Sequence, residues 1–154
     1  MKNQTLFSFD RFSSLTGSDL VNYVEPYLST RPEAIPESVY GQLLSGLATW
    51  DEYHVVYAME LCMRSKPEDF VGRAVPFLSH RDASVCCTAY RLIKSLPPSQ
   101  QLDDLVSEIA SVPVVELFRG DPRSGELKKV GTNEAFLLDL LGHAPLNRGR
   151  SAIV

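Results

Sequence analysis

Cysteine and histidine are scarce in this 154-residue chain, three of each. Cys62 and the adjacent pair Cys86 and Cys87 form no even framework, which excludes a disulfide scaffold. All three fall in helix-like apolar segments and are expected to pack as buried, reduced thiols. His54, His80 and His143 have no Cys, His, Asp or Glu partner at zinc-motif spacing, so no metal is expected, His54 with Glu52 or Cys62 included. A glycine-rich phosphate loop and a Gly-x-Ser-x-Gly elbow are also missing, for Gly41-Gln42-Leu43-Leu44-Ser45-Gly46 holds Ser45 without the preceding strand that would strain it. Asp103 and Asp104 could be drawn as an acid/base pair, but neighbouring helix positions diverge by roughly 100 degrees and would not face one substrate. The chain is therefore expected to be no enzyme, with no catalytic residues and no cofactor. No apolar run approaches the roughly 20 residues that span a bilayer, and the N-terminus lacks an export signal, which predicts a cytoplasmic protein with no membrane partner.

The most telling absence is of positive charge. No Lys or Arg lies between Arg31 and Arg64, a stretch that carries Glu33, Glu37, Asp51, Glu52 and Glu60. None lies between Lys94 and Arg119, where Asp103, Asp104, Glu108 and Glu116 stand. The net charge is -4, and the last 37 residues run the other way, with six bases against four acids. Nucleic-acid binding draws on clustered Lys and Arg, so the acidic stretches argue against it and favour a basic protein partner.

What the chain does have is apolar periodicity. With 44% apolar and 22% charged residues it can bury a core unaided. Val24-Glu25-Pro26-Tyr27-Leu28-Ser29-Thr30 returns fifty positions later as Ala74-Val75-Pro76-Phe77-Leu78-Ser79-His80. In step with it, Leu20 and Val21 answer to Phe70 and Val71. Leu43, Leu44 and Leu47 answer to Leu92, Ile93 and Leu96, and Val55, Val56 and Met59 to Leu105, Val106 and Ile109. A period in the range of roughly 20 to 50 residues marks stacked helical units, each burying its apolar face against its neighbours. Pro26 and Pro76 fall at one register inside apparent helices, which implies a shared kink or a true helix start.

These patterns predict a single α-helical repeat domain over 1–154. Residues 1–15 read as an N-terminal arm with exposed Phe7, Phe9 and Phe12, whose rings fold back onto the first helices. Repeat helices fill 16–112, with Thr16-Gly17-Ser18-Asp19 supplying capping chemistry, Ser65-Lys66-Pro67-Glu68 resembling a capping box, Asp82 capping the fifth helix, Pro97 and Pro98 ending it and Ser99 starting the sixth. Residues 113–131 read as a loop or a small β-hairpin around Gly120-Asp121-Pro122-Arg123-Ser124-Gly125. Thr132 caps a last helix over 132–143, stopped by Gly142, and 144–154 read as a frayed tail.

The run from Ala74 to Leu96 resembles the HEAT-repeat pattern. There a helix ending in an apolar Pro-x-Leu run turns at an Asp and enters a second helix at a Val, with Ala and Leu following. Asp82, Val85, Ala89 and Leu92 hold those places, and Cys86 stands where the family usually has Arg. The internal match spans three helices rather than two, which makes the armadillo relatives an equally fair comparison. The resemblance implies an all-α, short α-solenoid of HEAT- or armadillo-like helix hairpins, with a possible small β-hairpin at 114–130. Solenoids of this kind bind proteins, and a short acidic one resembles bacterial immunity proteins of the contact-dependent growth inhibition type. That likeness implies a cognate partner that is a basic toxin domain, often a nuclease. The expected contact residues are Trp50, Asp51, Glu52, Tyr53, His54, Glu60, Asp103, Asp104 and Glu108, aromatic anchors ringed by charge. His54 is expected on a solvated or partner-facing surface. A structural adaptor in a larger complex would share every feature. A HEAT-like nucleic-acid enzyme or ligand-binding lyase would draw on the basic loop of Arg119, Arg123, Lys128 and Lys129.

Overall fold

A computed structural model describes residues 6–29, 35–95, 100–120 and 125–142, with side chains for all of these but 100–104. Among the described residues the protein is mostly helical, with one two-stranded antiparallel sheet. No helix among them is long and apolar enough to cross a membrane. They fall into two compact units, Met1–Phe70 and Val71–Val154.

The first unit holds α1 (Phe9–Ser14), α2 (Gly17–Leu28), α3 (Glu37–Gly46) and α4 (Glu52–Ser65). α1 packs on α2 and α3, and both α2 and α3 pack on α4. Residues 9–14, expected as part of an arm, are a helix, because the Ser8 hydroxyl accepts the Arg11 N–H at 3.2 Å and caps it. Phe7 and Phe12, expected as exposed, are buried. Their rings do fold back: Phe7 meets Tyr23 and Tyr27, and Phe12 meets Trp50 and His54, at centroid distances of 5.1 to 5.3 Å. Such tilted and edge-on pairs add to the burial of the rings themselves. Leu20, Val24, Leu43, Met59 and Leu61 complete this core.

Between α4 and α5 (Pro67–Ala74) the cap differs from the expected box. Ser65 is the last residue of α4, and the Lys66 carbonyl accepts the N–H groups of Asp69 and Phe70. Pro67 fits this position because a helix's first residue has no N–H bond to lose.

The second unit continues α5 through a 3-10 segment (Val75–Ser79) into α6 (Ala83–Lys94), then α7 (Gln100–Ala110), β1 (Glu116–Gly120), β2 (Leu127–Thr132) and α8 (Glu134–Gly142). α6 packs on the 3-10 segment, β1 and α8, and α7 packs on α8. Asp82 caps α6 as expected, its Oδ1 accepting the Ser84 and Val85 N–H groups at 2.9 and 3.1 Å. α7 begins at Gln100, as the apolar spacing predicts, while Pro97, Pro98 and Ser99 lie outside the described residues. The hairpin forms within its expected bounds, and α8 begins two residues after Thr132, whose hydroxyl accepts the Glu134 N–H at 3.3 Å. The tail expected over 144–154 lies outside the described residues.

The matched positions agree in burial only in part. Leu20 and Phe70, Val24 and Ala74, Leu43 and Leu92, Val55 and Leu105, Met59 and Ile109 are all buried, whereas Val21, Leu44 and Val56 are half-buried where Val71, Ile93 and Val106 are buried. The paired prolines differ, since Pro26 lies inside α2 while Pro76 opens the 3-10 segment. The tighter 3-10 winding rotates the residues after Pro76, and Leu78 is buried where the first unit buries Tyr27.

Asn133 holds the second unit's joints together. It is fully buried; its Oδ1 accepts the Val115 N–H at 2.8 Å, and its Nδ2 donates to the carbonyls of Leu78 (2.7 Å) and Pro113 (3.0 Å). One amide thereby satisfies three backbone groups from separate segments.

Candidate functional site

The expected contact residues of the first unit divide into a structural base and an exposed rim. Trp50 is half-buried and lies against Phe9 and Phe12 at centroid distances of 5.6 and 5.3 Å. It fits because position 46 is glycine: a Cβ there would run into the Trp50 ring. His54, expected on a surface, is only 6% exposed. Its Nε2 donates to the Phe12 carbonyl at 3.2 Å, and its Nδ1 lies 3.1 Å from the Asp51 carboxylate. Trp50 lies just before the Asp51 cap and His54 in the first turn of α4, and both rings meet Phe12 of α1, at 5.3 and 5.2 Å.

Asp51 caps α4 through the His54 N–H at 2.9 Å. Burial would raise its carboxyl, but the hydrogen bonds from the His54 backbone and ring, with the Tyr53 N–H, outweigh it and hold the group below the ordinary carboxylate value. Above this base, Asp51, Glu52 and Tyr53 are exposed, Tyr53 at 69%. Glu60, half-buried, lies two turns further along α4 on the same side as Tyr53.

The sequence pattern misses two members of this patch. Tyr57, half-buried, stands one turn after Tyr53, and burial first, then the carboxylates of Glu60 and of Glu25 on α2, push its phenol above the ordinary value. Glu25 is masked in the sequence because it sits inside the repeat signature, just before Pro26. The surface of α2 and α4 thus carries two tyrosines among Glu25, Glu52, Asp51 and Glu60.

In the second unit Glu108 is exposed and lines a shallow cleft with Val75, Pro76, Ser79, Ser107 and Ser111. Asp103 and Asp104 lie on α7, and their side chains are outside the described residues. The described basic residues of the hairpin are all exposed: Arg119 stands directly across the ladder from Lys128, and Lys129 pairs with Glu116 at 2.8 Å. Arg81 covers the Phe118 ring at 4.7 Å.

The reactive groups on view are structural. Cys86 is buried, donates to the Leu78 carbonyl at 3.2 Å and is pushed up to about 12 by burial and by neighbouring Cys87, which leaves no thiolate. Ser45 donates to the Gly41 carbonyl at 3.0 Å. Tyr90, Lys94 and Asp139 join α6 to α8: Tyr90 donates to Asp139 at 2.6 Å and Lys94 lies 3.0 Å from it. Hydrogen bonds to Tyr90 and Asp139 hold Lys94 above its ordinary value, the opposite of what a general base needs. Among the described residues no three His, Cys, Asp or Glu side chains are grouped to hold a metal ion.

No protein-family model, no curated protein and no solved structure matches the chain.

Proposed function

We propose that the protein is a non-enzymatic binding module, and that its partner is a basic protein domain held against the α2–α4 surface. The single observation that carries this is Tyr53, a large ring standing 69% exposed on a helix whose neighbouring exposed side chains are acidic. An exposed aromatic that costs little entropy to immobilise, ringed by charge of one sign, is the composition of an interface hot spot. Carboxylates held charged, as Asp51 is by its hydrogen bonds, steer an oppositely charged partner and fix its orientation.

The partner class follows from size, helical content and acidity together: a bacterial toxin domain, neutralised by this chain acting as its immunity protein. A short HEAT- or armadillo-like solenoid is the architecture proposed for that role, supported by the buried positions that recur at a spacing of 49 or 50. A cytoplasmic site of action accompanies this reading. Within the second unit, Glu108, with Asp103 and Asp104 on the same helix, is a separate candidate contact for a basic partner.

The test is co-expression with the C-terminal domain encoded by the gene immediately upstream. Growth arrest by that domain should be relieved by the wild-type chain and return with the Glu52→Lys/Tyr53→Ala variant, which should still unfold cooperatively, with a midpoint lowered by no more than the few degrees expected of about 1 kcal/mol from a cation in the first turn of α4. Equal protection by both proteins would refute the assignment of the surface, and arrest unrelieved by either would refute the immunity role.

A further inference from the structure

The hairpin carries a feature that the acidic surface does not explain. β1 and β2 pair antiparallel with Glu116 opposite Thr132, Leu117 opposite Gly131, and then, after a bulge at Val130, Phe118 opposite Lys129 and Arg119 opposite Lys128. Gly131, at φ +141, supplies the backbone that the bulge requires. Two like charges directly across a ladder repel, and no carboxylate among the described residues lies within ion-pair distance of either Arg119 or Lys128. Lys129, the neighbouring base, does have one in Glu116. A local arrangement that works against its own hairpin points to something outside it.

The surroundings narrow the choice. β1 is flanked on both sides, by β2 and by the Arg81–Asp82 segment, whose Arg81 carbonyl accepts the Phe118 N–H at 2.8 Å. β2 is exposed along its whole length, and among the described residues no strand lies beyond it. Leu127 is 70% exposed and Val130 48%. Two depressions meet at Leu127. One, of about 530 Å³, is lined by Arg119, Gly120, Glu126, Lys128 and Val130, and the other, of about 160 Å³, by Arg81, Asp82 and Phe118. By the alternation of the ladder, Arg119 and Lys128 point to one face of the hairpin, and Phe118, Leu127 and the Glu116-paired Lys129 to the other.

We propose that the free edge of β2 receives an extended peptide segment with alternating carboxylate and apolar side chains, added as a third strand. Its backbone pairs with the outward N–H and C=O groups of β2. Its carboxylates fall on the Arg119–Lys128 face and relieve the repulsion there, while its apolar side chains fall on the Leu127 face beside Phe118. Strand addition of this kind draws affinity from the main chain and specificity from pockets for alternate side chains. A second copy of this chain does not suit the edge, because antiparallel self-pairing of 127–132 would set Lys128 opposite Gly131 and Lys129 opposite Val130 and bring no carboxylate to the Arg119–Lys128 face. Single-stranded nucleic acid suits it less, since the hairpin offers one aromatic ring, Phe118, half-buried and with Arg81 over one face, where a run of stacking rings is needed.

The experiment measures fluorescence anisotropy of the full chain with four labelled probes: an eight-residue peptide alternating valine and glutamate, the same peptide N-methylated at alternate amides along one edge, its counterpart methylated along the other edge, and oligouridylate. The unmethylated acidic peptide should bind. The two methylated forms should differ, with one losing binding at least about tenfold because only one edge faces β2. Lys128→Glu should weaken the acidic peptide by a similar factor and at the same time raise the thermal midpoint, because it turns the opposed pair into a salt bridge. Lys128→Gln should give the same two changes at smaller size. Equal binding of the unmethylated and both methylated forms overturns strand addition, tighter binding of oligouridylate overturns the choice of ligand, and self-association that depends on β2 assigns the edge to a second copy. A lowered midpoint in Lys128→Glu removes the premise of a repulsive pair.

Discussion

At the scale of single residues, environment divides side chains that the sequence presents as equals. Cys86 and Cys87 are neighbours, yet Cys86 points into the packing of Ala83 and Leu117 while Cys87 is exposed, contrary to the expectation that all three thiols are buried. Consecutive helix positions face about 100 degrees apart, and an apolar residue type hides which of the two faces inward. A thiol reagent such as DTNB should therefore modify one cysteine rapidly in the native protein, Cys87, and all three after denaturation. Rapid modification of Cys62 or Cys86 under native conditions would contradict the packing. His54 shows the same limit from the polar side. Its neighbours Asp51, Glu52 and Tyr53 give the whole segment the composition of a solvated face, but the ring is drawn inward by the Phe12 carbonyl, 42 residues away in sequence. No local pattern encodes that partner.

At the scale of elements, the caps are the legible part. Asp82 and the start of α6 follow from one Asp before an apolar run, and the hairpin follows from two short apolar segments around a turn-rich loop. α1 is not legible because six residues give less than two turns of periodicity. The Ser65 box fails because α4 runs through Ser65, which shifts the cap one position later. The cap at Asp51 has a consequence for pH. Its carboxyl is held below the ordinary value in the folded chain, so the charged form contributes stability above the unfolded value, near pH 4, and that contribution is lost as pH falls through the lowered folded value. Asn still caps well, so Asp51→Asn removes the charge and keeps the cap. Urea unfolding should find the variant less stable than wild type at pH 7, with the gap closing on acidification to about pH 3. A gap that widens with acid would reverse the sign of the assignment.

At the scale of the whole molecule, helical content and a recurring apolar spacing are legible in the sequence, because both rest on periodicity alone. The composition of the proposed binding surface is only half legible. Tyr53, Tyr57, Glu52 and Glu60 lie in one base-free stretch of helix, but Glu25 joins them only through the packing of α2 on α4. Trp50 and His54, the residues with the most distinctive chemistry, lie beneath that surface and hold it up. The picture that results is a first unit whose aromatic base presents tyrosine and carboxylate outward, and a second whose hairpin presents the opposite charge.

The central claim is that the acidic, tyrosine-bearing surface of α2 and α4 captures a basic protein. It is tested most directly by crosslinking and co-purification from the source cells with the tagged wild-type chain and with Glu52→Lys/Tyr53→Ala, identifying what each retains. A single basic protein should be retained by the wild type, lost at about 0.5 M salt and absent from the variant. Retention of the same partner by the variant, undiminished in high salt, would contradict the account.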